Sequence, residues 1–313
     1  MKEVSRYANI LDIDEPIIHK NMAVAHLIGV DSGLDYYTLD GALRAGLKIN
    51  ESGNVPTLHF TNGSGKEVLI IQGEYVRGGM QNRMIENNIF MTKGFDNKVA
   101  VKCVQAGRWG YQPGRTSEYT PSEKRASPAV YRAAMHGQGA VWSEVDKLSM
   151  NLCASSETRD LDEVTEKRKD NIDEYVNRFS VRENAVGLVV AVNKNGKLFL
   201  GTDIFDQSKT LKENYKKIIE SYALEAINSG SNVELSRESA RSFLANLENC
   251  DYQIRNPVSL GIDARLTKGN ELEGSVLSYD GRPLYINLAS KISISPGGII
   301  NPRYQTGFRR TWI

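Results

Sequence analysis

Val55-Pro56-Thr57-Leu58-His59-Phe60-Thr61, Asn62-Gly63-Ser64-Gly65 and Val68-Leu69-Ile70-Ile71-Gln72 form the stretch that decides the fold class. The first part alternates apolar and polar residues, the period of a half-buried strand. Asn62-Gly63 opens a run that tolerates the left-handed backbone of a tight turn. The spacing predicts a hairpin, with residues 55–61 paired to residues 68–72.

The same pattern continues outward. Residues 17–18 and 22–30 read as strands, and residues 37–45 as a short helix capped by Asp35. Residues 84–91 and 99–104 are further strands, joined by the turn Lys93-Gly94-Phe95-Asp96-Asn97. Short strands in series with such turns favour antiparallel pairing. The period then changes. Pro121-Ser122-Glu123-Lys124 opens a predicted helix in the 127–152 region, interrupted near His136-Gly137-Gln138-Gly139. Residues 161–179, rich in both charge signs, read as a solvated helix.

Residues 185–192 and 198–203 are strands about the turn Lys194-Asn195-Gly196. From Ser208, residues Leu211, Tyr215, Ile218, Ile219, Tyr222 and Ala226 share one helical face. Residues 236–247 form a Ser-capped helix, and residues 258–266, 271–278 and 284–288 are closing strands. The tail, 292–313, has no clear period. The predicted fold class is α+β: mainly antiparallel sheets with packed helices. Residues 1–150 form a β-rich part and residues 151–313 an α+β part, packed together as one interwoven unit.

Global properties narrow the function. The chain has 313 residues and a formal net charge of +1, without the basic field of a nucleic-acid binder. No apolar run reaches membrane-span length and the first 14 residues carry no apolar signal core, so a cytoplasmic protein is expected. The three cysteines, Cys103, Cys153 and Cys250, are widely spaced, and the four histidines are scattered. A disulfide framework or a Cys/His zinc site does not follow; a carboxylate site for Mg²⁺ stays open. Walker, G-x-G-x-x-G, nucleophile-elbow and H-E-x-x-H motifs are absent.

Candidate chemistry concentrates in Gly73-Glu74-Tyr75-Val76-Arg77-Gly78-Gly79-Met80-Gln81-Asn82-Arg83. Here Glu74 is the candidate catalytic base or metal ligand. Arg77 and Arg83 suit phosphate oxygens. Gln81 and Asn82 suit ribose or a base edge, and Gly78 and Gly79 would allow close backbone approach. The alternative is a structural turn with exposed charges. Arg108-Trp109 and Tyr111 offer a cation and stacking surfaces for a nucleotide, or an Arg stacked on a core-edge Trp. Gln138 lies where a helix N-terminus could meet an anion, or where Trp142 merely packs. Cys103, in an apolar strand, reads as an inert buried thiol rather than a nucleophile.

The ordered set Gly73-Glu74…Gly78-Gly79…Gln81-Asn82-Arg83, Cys103-Val104…Gly107-Arg108-Trp109, Gln138…Val141-Trp142, Asp203…Phe205, Ser221-Tyr222-Ala223…Ala226 and Gly261…Arg265…Gly274-Ser275 resembles the ARPP-1 domain. That family takes its name from association with ADP-ribosylglycohydrolases and rhodanese-phosphatases. The resemblance covers about residues 10 to 290. Met80 and Gln105 depart from its pattern, which often has Lys and Glu there. It implies a setting in NAD and ADP-ribose metabolism and carries over no catalytic residue. The expected ligand is a small phosphorylated, ADP-ribose-like metabolite, bound or hydrolysed. The alternatives are a non-catalytic nucleotide binder and a structural homo-oligomer.

Overall fold

The computed structural model describes residues 2–108, 110, 118–230 and 232–290. Trp109, Tyr111 and the tail lie outside them. The chain starts with helix α1 (Lys2–Ile10) and strands β1 (Asp12–Ile13), β2 (Ile17–His19) and β3 (Met22–Ile28). Strand β4 (Tyr36–Thr38), helix α2 (Leu39–Ala45), β5 (Leu47–Glu51), β6 (Thr57–Asn62) and β7 (Glu67–Ile70) follow. Then come β8 (Glu74–Gly78), β9 (Arg83–Ile85), β10 (Ile89–Met91), β11 (Asp96–Cys103) and β12 (Tyr119–Arg125).

Helices α3 (Pro128–Ala133), α4 (Gln138–Asn151), α5 (Leu161–Glu166) and α6 (Lys169–Arg178) precede the long hairpin β13 (Ala185–Lys194) and β14 (Lys197–Phe205). Helices α7 (Ser208–Ala226) and α8 (Arg237–Leu244) lead to β15 (Asp251–Ile254), β16 (Ile262–Lys268), β17 (Leu272–Tyr279) and β18 (Arg282–Ser290). The fold is α+β with mainly antiparallel sheets.

The largest sheet runs β1-β3-β13-β14-β18-β17-β16-β15, with β2 on β3. Early strand β3 is thus hydrogen-bonded to β13, more than 150 positions later. Alternate residues feed two cores. Met22, Val24, Leu188 and Val190 face the helical layer holding α7, while Ala23, Ala25, Val189 and Ala191 face the layer of α1 and α8. Leu211, Ile218, Ile219, Tyr222 and Ala226 on α7 are buried as their spacing predicts; each large apolar side chain so buried contributes roughly 1.5–3 kcal/mol.

The second body is a six-stranded sheet, β12-β8-β9-β11-β6-β5. A bridge between Asn50 and Glu118 joins its two ends, so the sheet closes as a small barrel. Leu47, Ile49, Leu58, Phe60, Val76, Ile85, Val99 and Val101 fill it. A three-stranded sheet, β10-β7-β4, packs against this core; its β4–β7 pair is parallel.

Four sequence expectations are corrected. Strands β6 and β7 do not pair: β6 joins β5 and β11, and β7 joins β4 and β10. The turn itself is real, since Asn62 Oδ1 accepts from the Ser64 N–H (3.1 Å) and its Nδ2 donates to Thr92 O (2.9 Å), but it hands the chain from one sheet to another. Residues 121–124 are strand, not a helix start: Pro121 pairs with Val76, and a register shift beyond it places Glu123 at φ 56°. Proline marks helix starts and strand edges alike. Asp35 does not cap α2, which Thr38 precedes; it pairs with Lys66 Nζ at 2.5 Å. The strand expected from residue 258 begins at Ile262, and β15 before it carried no recognised signal. Among the described residues no helix is long and apolar enough to cross a membrane.

Candidate functional site

The glycine-rich run occupies β8, its turn and the start of β9, at one end of the barrel. Gly78 and Gly79 have φ of 140° and 45°. A Cβ on Gly78 would lie 2.5 Å from Glu118 O; one on Gly79 would lie 2.4 Å from the Tyr119 phenol oxygen and 2.5 Å from Glu51 Oε1. The close approach that requires glycine here is therefore to the barrel's own wall.

Gln81, Asn82 and Arg108 knot this turn to the segment after β11. Arg108 Nε donates to Gln105 Oε1 (2.6 Å). Its Nη1 donates to Gly79 O (2.8 Å) and Gly110 O (3.1 Å), and its Nη2 to Gly78 O (3.0 Å) and Asn82 Oδ1 (3.5 Å). Those bonds take up the five donors of a guanidinium, so Arg108 is a clamp on the Gly78-Gly79 backbone. Gln81 Nε2 donates to Gln105 O (2.9 Å). Asn82 Nδ2 donates to both oxygens of Asp160 (3.1 Å each), which also caps α5. Burial pushes the Asp160 carboxyl up, with Asn82 opposing. Gln105, one of the two departures from the family pattern, serves Arg108 and the Asn82 N–H rather than Met80.

Arg83 is differently placed. It pairs across the sheet with Val76 and Cys103, both on the inner face, so its side chain enters the barrel's end. It is 1% exposed. Nη1 contacts Gln81 Oε1 (3.1 Å) and Cys103 Sγ, and Nε has no hydrogen-bond partner. Among the described residues no carboxylate forms an ion pair with it. Glu51 shares this end, but its Oε1 accepts from the Met80 N–H (2.8 Å) and the Tyr119 O–H (2.6 Å). Burial pushes both the Cys103 thiol and the Tyr119 phenol up, with the Arg83 charge opposing.

Glu74 and Arg77 leave this cluster. Glu74 is buried between layers: Oε1 receives Lys217 Nζ of α7 at 2.6 Å, and Oε2 accepts from the Ile71 N–H at 2.9 Å. The same ammonium lies 2.6 Å from Asp40 Oδ2 on α2. Burial pushes the Glu74 carboxyl up against the pull of Lys217. Burial pulls Lys217 down, but Glu74 and Asp40 overcome it and hold its ammonium above the usual range. Arg77 turns to the other face of β8 and pairs with Asp162 (3.2 Å), which Lys124 also reaches (3.0 Å). Gln138 holds both backbone groups of Cys103 at 2.8 Å, pinning α4 to β11.

Thus Gly78, Gly79, Gln81, Asn82 and Arg108 come together, Arg83 adjoins them through Gln81, and Glu74, Arg77 and Gln138 serve other contacts. Glu51, Tyr119, Asp160, Asp40 and Lys217 were not anticipated. Lys217 had a weak signal: it lies within the buried arc of α7, beside Ile218. A cleft of about 740 Å³, lined by Asn21, Asn171, Tyr175 and Asn228 among others, contains none of the anticipated residues. A cavity of about 140 Å³ is lined by Tyr75, Lys124, Lys216 and Glu220. Among the described residues no group of three or more His, Cys, Asp or Glu is arranged to hold a metal ion.

Compared with known families, the chain matches the ARG and Rhodanese-Phosphatase-superfamily-associated Protein domain, ARPP-1, over residues 10–289. No curated protein and no solved structure matches.

Proposed function

We propose, from the premise that this chain belongs to the ARPP-1 family, that it binds a small phosphorylated metabolite of the ADP-ribose or NAD-derived class at the barrel end, with Arg83 as the anion-binding group. One observation carries this reading: among the described residues Arg83 is buried without an ion-paired carboxylate, and its Nε has no partner. A buried charge without an ion-pair partner costs several kcal/mol, and an anionic ligand would offset that cost. The fork of the guanidinium suits a phosphate oxygen pair. Entry requires the Gly78-Gly79 turn to swing away. The Arg108 clamp sets the turn's resting position, and the amides of Gln81 and Asn82 tie the turn to Gln105 and Asp160.

Calorimetry tests the reading. ADP-ribose, NAD, ribose and inorganic phosphate would each be titrated into the protein, with and without Mg²⁺, and the ligand recovered afterwards. Saturable heat with ADP-ribose or NAD, lost in Arg83→Met, is the expected result. Absence of heat with every phosphorylated probe, or unchanged affinity in Arg83→Met, would sink it.

Hydrolysis of the same ligand is the second reading. Glu74 is engaged by Lys217 and by the Ile71 N–H, apart from the Arg83 cluster, so it is not placed to act on a ligand held there. Chromatography of the recovered ligand separates the readings: intact ligand supports binding alone, and turnover supports hydrolysis.

A further inference from the structure

The large sheet ends on one side at β15, a strand that pairs with β16 alone among the described strands. An open strand edge presents unpaired N–H and C=O groups to any matching strand. Short length and charges are the usual protections. β15 is short, but it carries Ile254 at 62% exposure, with Ile262 at 55% on the neighbouring strand. Both belong to the side-chain face that includes Ala264 and Leu266 of the α1/α8 core. The apolar face of the sheet therefore extends past its helical cover at this edge.

Backbone register limits what can dock there. The Arg255 N–H donates to Asp263 O at 2.9 Å, in the same register that pairs Gln253 with Arg265 and Asp251 with Thr267. Hydrogen-bonded and non-hydrogen-bonded pairs alternate along an antiparallel ladder. The backbone groups of Asp251, Gln253 and Arg255 thus point to β16, and those of Tyr252 and Ile254 point outward. A second strand satisfies both outward residues at once if Tyr252 faces a partner at the position of Ile254, and Ile254 one at the position of Tyr252. A copy of β15 running antiparallel meets that condition. The register sets Gln253 opposite Gln253, Tyr252 opposite Ile254, and Asp251 opposite Arg255. Every pair then matches: carboxylate with guanidinium, aromatic with aliphatic, amide with amide.

We propose that β15 is a self-complementary edge at which two copies of this chain pair antiparallel, joining their large sheets across a twofold axis. A twofold contact of this kind uses the same surface on both subunits, and the ladder bonds are those of strand addition. Arg255 would lie between Asp263 of its own chain, 2.7 Å from Nε, and the incoming Asp251. The contact is narrow, so the dimer is concentration-dependent.

Light scattering coupled to size exclusion, across a wide concentration range, reads the mass. The wild type is expected to shift from one chain to two as concentration rises. Ile254→Pro removes an outward N–H and leaves the inner ladder intact. It should abolish the shift, and Ile254→Lys, on an exposed side chain, should do so without any backbone change. The central Gln253 pair is non-hydrogen-bonded, with Cα atoms about 4.5 Å apart, within disulfide reach. Gln253→Cys in a Cys153→Ser background should therefore form a covalent dimer on oxidation. A wild type that stays monomeric throughout overturns the proposal. So does a dimer unaffected by Ile254→Lys together with a Gln253→Cys that forms no crosslink.

Discussion

Arg125 and Arg83 are both buried arginines on neighbouring parts of the barrel, and they are completed in opposite ways. Arg125 is 2% exposed; its Nη1 lies 2.7 Å from Asp203 Oδ1, its Nη2 donates to the Tyr285 hydroxyl at 2.7 Å, and its Nε donates to Gln72 O at 3.0 Å. Its guanidinium sits 4.4 Å from the centroid of the Tyr131 ring, and the Tyr222 hydroxyl closes the far side of Asp203 at 2.8 Å. Arg83 has an amide, a thiol, the Tyr119 phenol, an unpartnered Nε and, among the described residues, no ion-paired carboxylate. A guanidinium whose donors and charge are answered within the chain is structural. One left incomplete in the same kind of surroundings is, on the proposed reading, where a ligand has something to supply.

The largest effect should come from breaking the completed case. Arg125→Met leaves the Asp203 carboxylate buried without its counter-charge. Denaturant unfolding should show a loss of about 3–5 kcal/mol. A loss under about 1 kcal/mol would mean that the tyrosines alone carry Asp203, and the contrast with Arg83 would weaken.

The next effect tests whether the glycines at the barrel end serve packing or a ligand. Gly79→Ala puts a methyl against the Tyr119 hydroxyl and Glu51 at a residue with φ of 45°. The expected destabilisation is about 1–3 kcal/mol, read as a lower unfolding midpoint without any ligand present. Unchanged stability with weakened ADP-ribose binding would instead return these glycines to the ligand.

The sequence disclosed elements whose cause is local and missed those whose cause is distant. The face of α7 from Leu211 to Ala226 was readable because helical period and burial agree. The turn at Asn62 was readable too, but turn chemistry does not name the sheet that the next strand will join, so β6 and β7 were wrongly paired. Pro121 misled because its missing N–H is tolerated in both settings. At the site, the polar richness of residues 73–83 was evident, yet the destination of each group was not. Glu74 meets a lysine 143 positions away and Asn82 an aspartate 78 positions away. Such pairings exist only once the sheets have closed.

Arg255 is an intermediate case, since it has a carboxylate but a strained balance with burial. Asp263, which receives its Nη2 at 3.0 Å, is pushed up to about 6 by burial, with Arg255 opposing. A folded-state value above the ordinary 3.8 means that the folded chain holds this proton more tightly. The group's contribution to stability is full below about 3.8 and is lost as pH rises through about 6. The slope can reach about 1.4 kcal/mol per pH unit for one proton. Unfolding of the wild type and of Asp263→Asn, compared from pH 4 to 7, should show the wild type's relative stability falling across that window. Parallel curves would place the proton elsewhere.

The smallest stability change is the most decisive for the comparison. Arg83→Met removes a buried charge that lacks a carboxylate, so the lost Gln81 contact is offset by relief of desolvation. The expected shift is within about 1 kcal/mol of zero, on the stabilising side. Arg125→Met carries the opposite sign although it deletes the same group. If Arg83→Met is instead destabilised as strongly as Arg125→Met, the Arg83 charge is already compensated within the fold and the binding reading loses its basis. A stable Arg83→Met that no longer binds ADP-ribose would mean that the chain carries this charge for something outside itself.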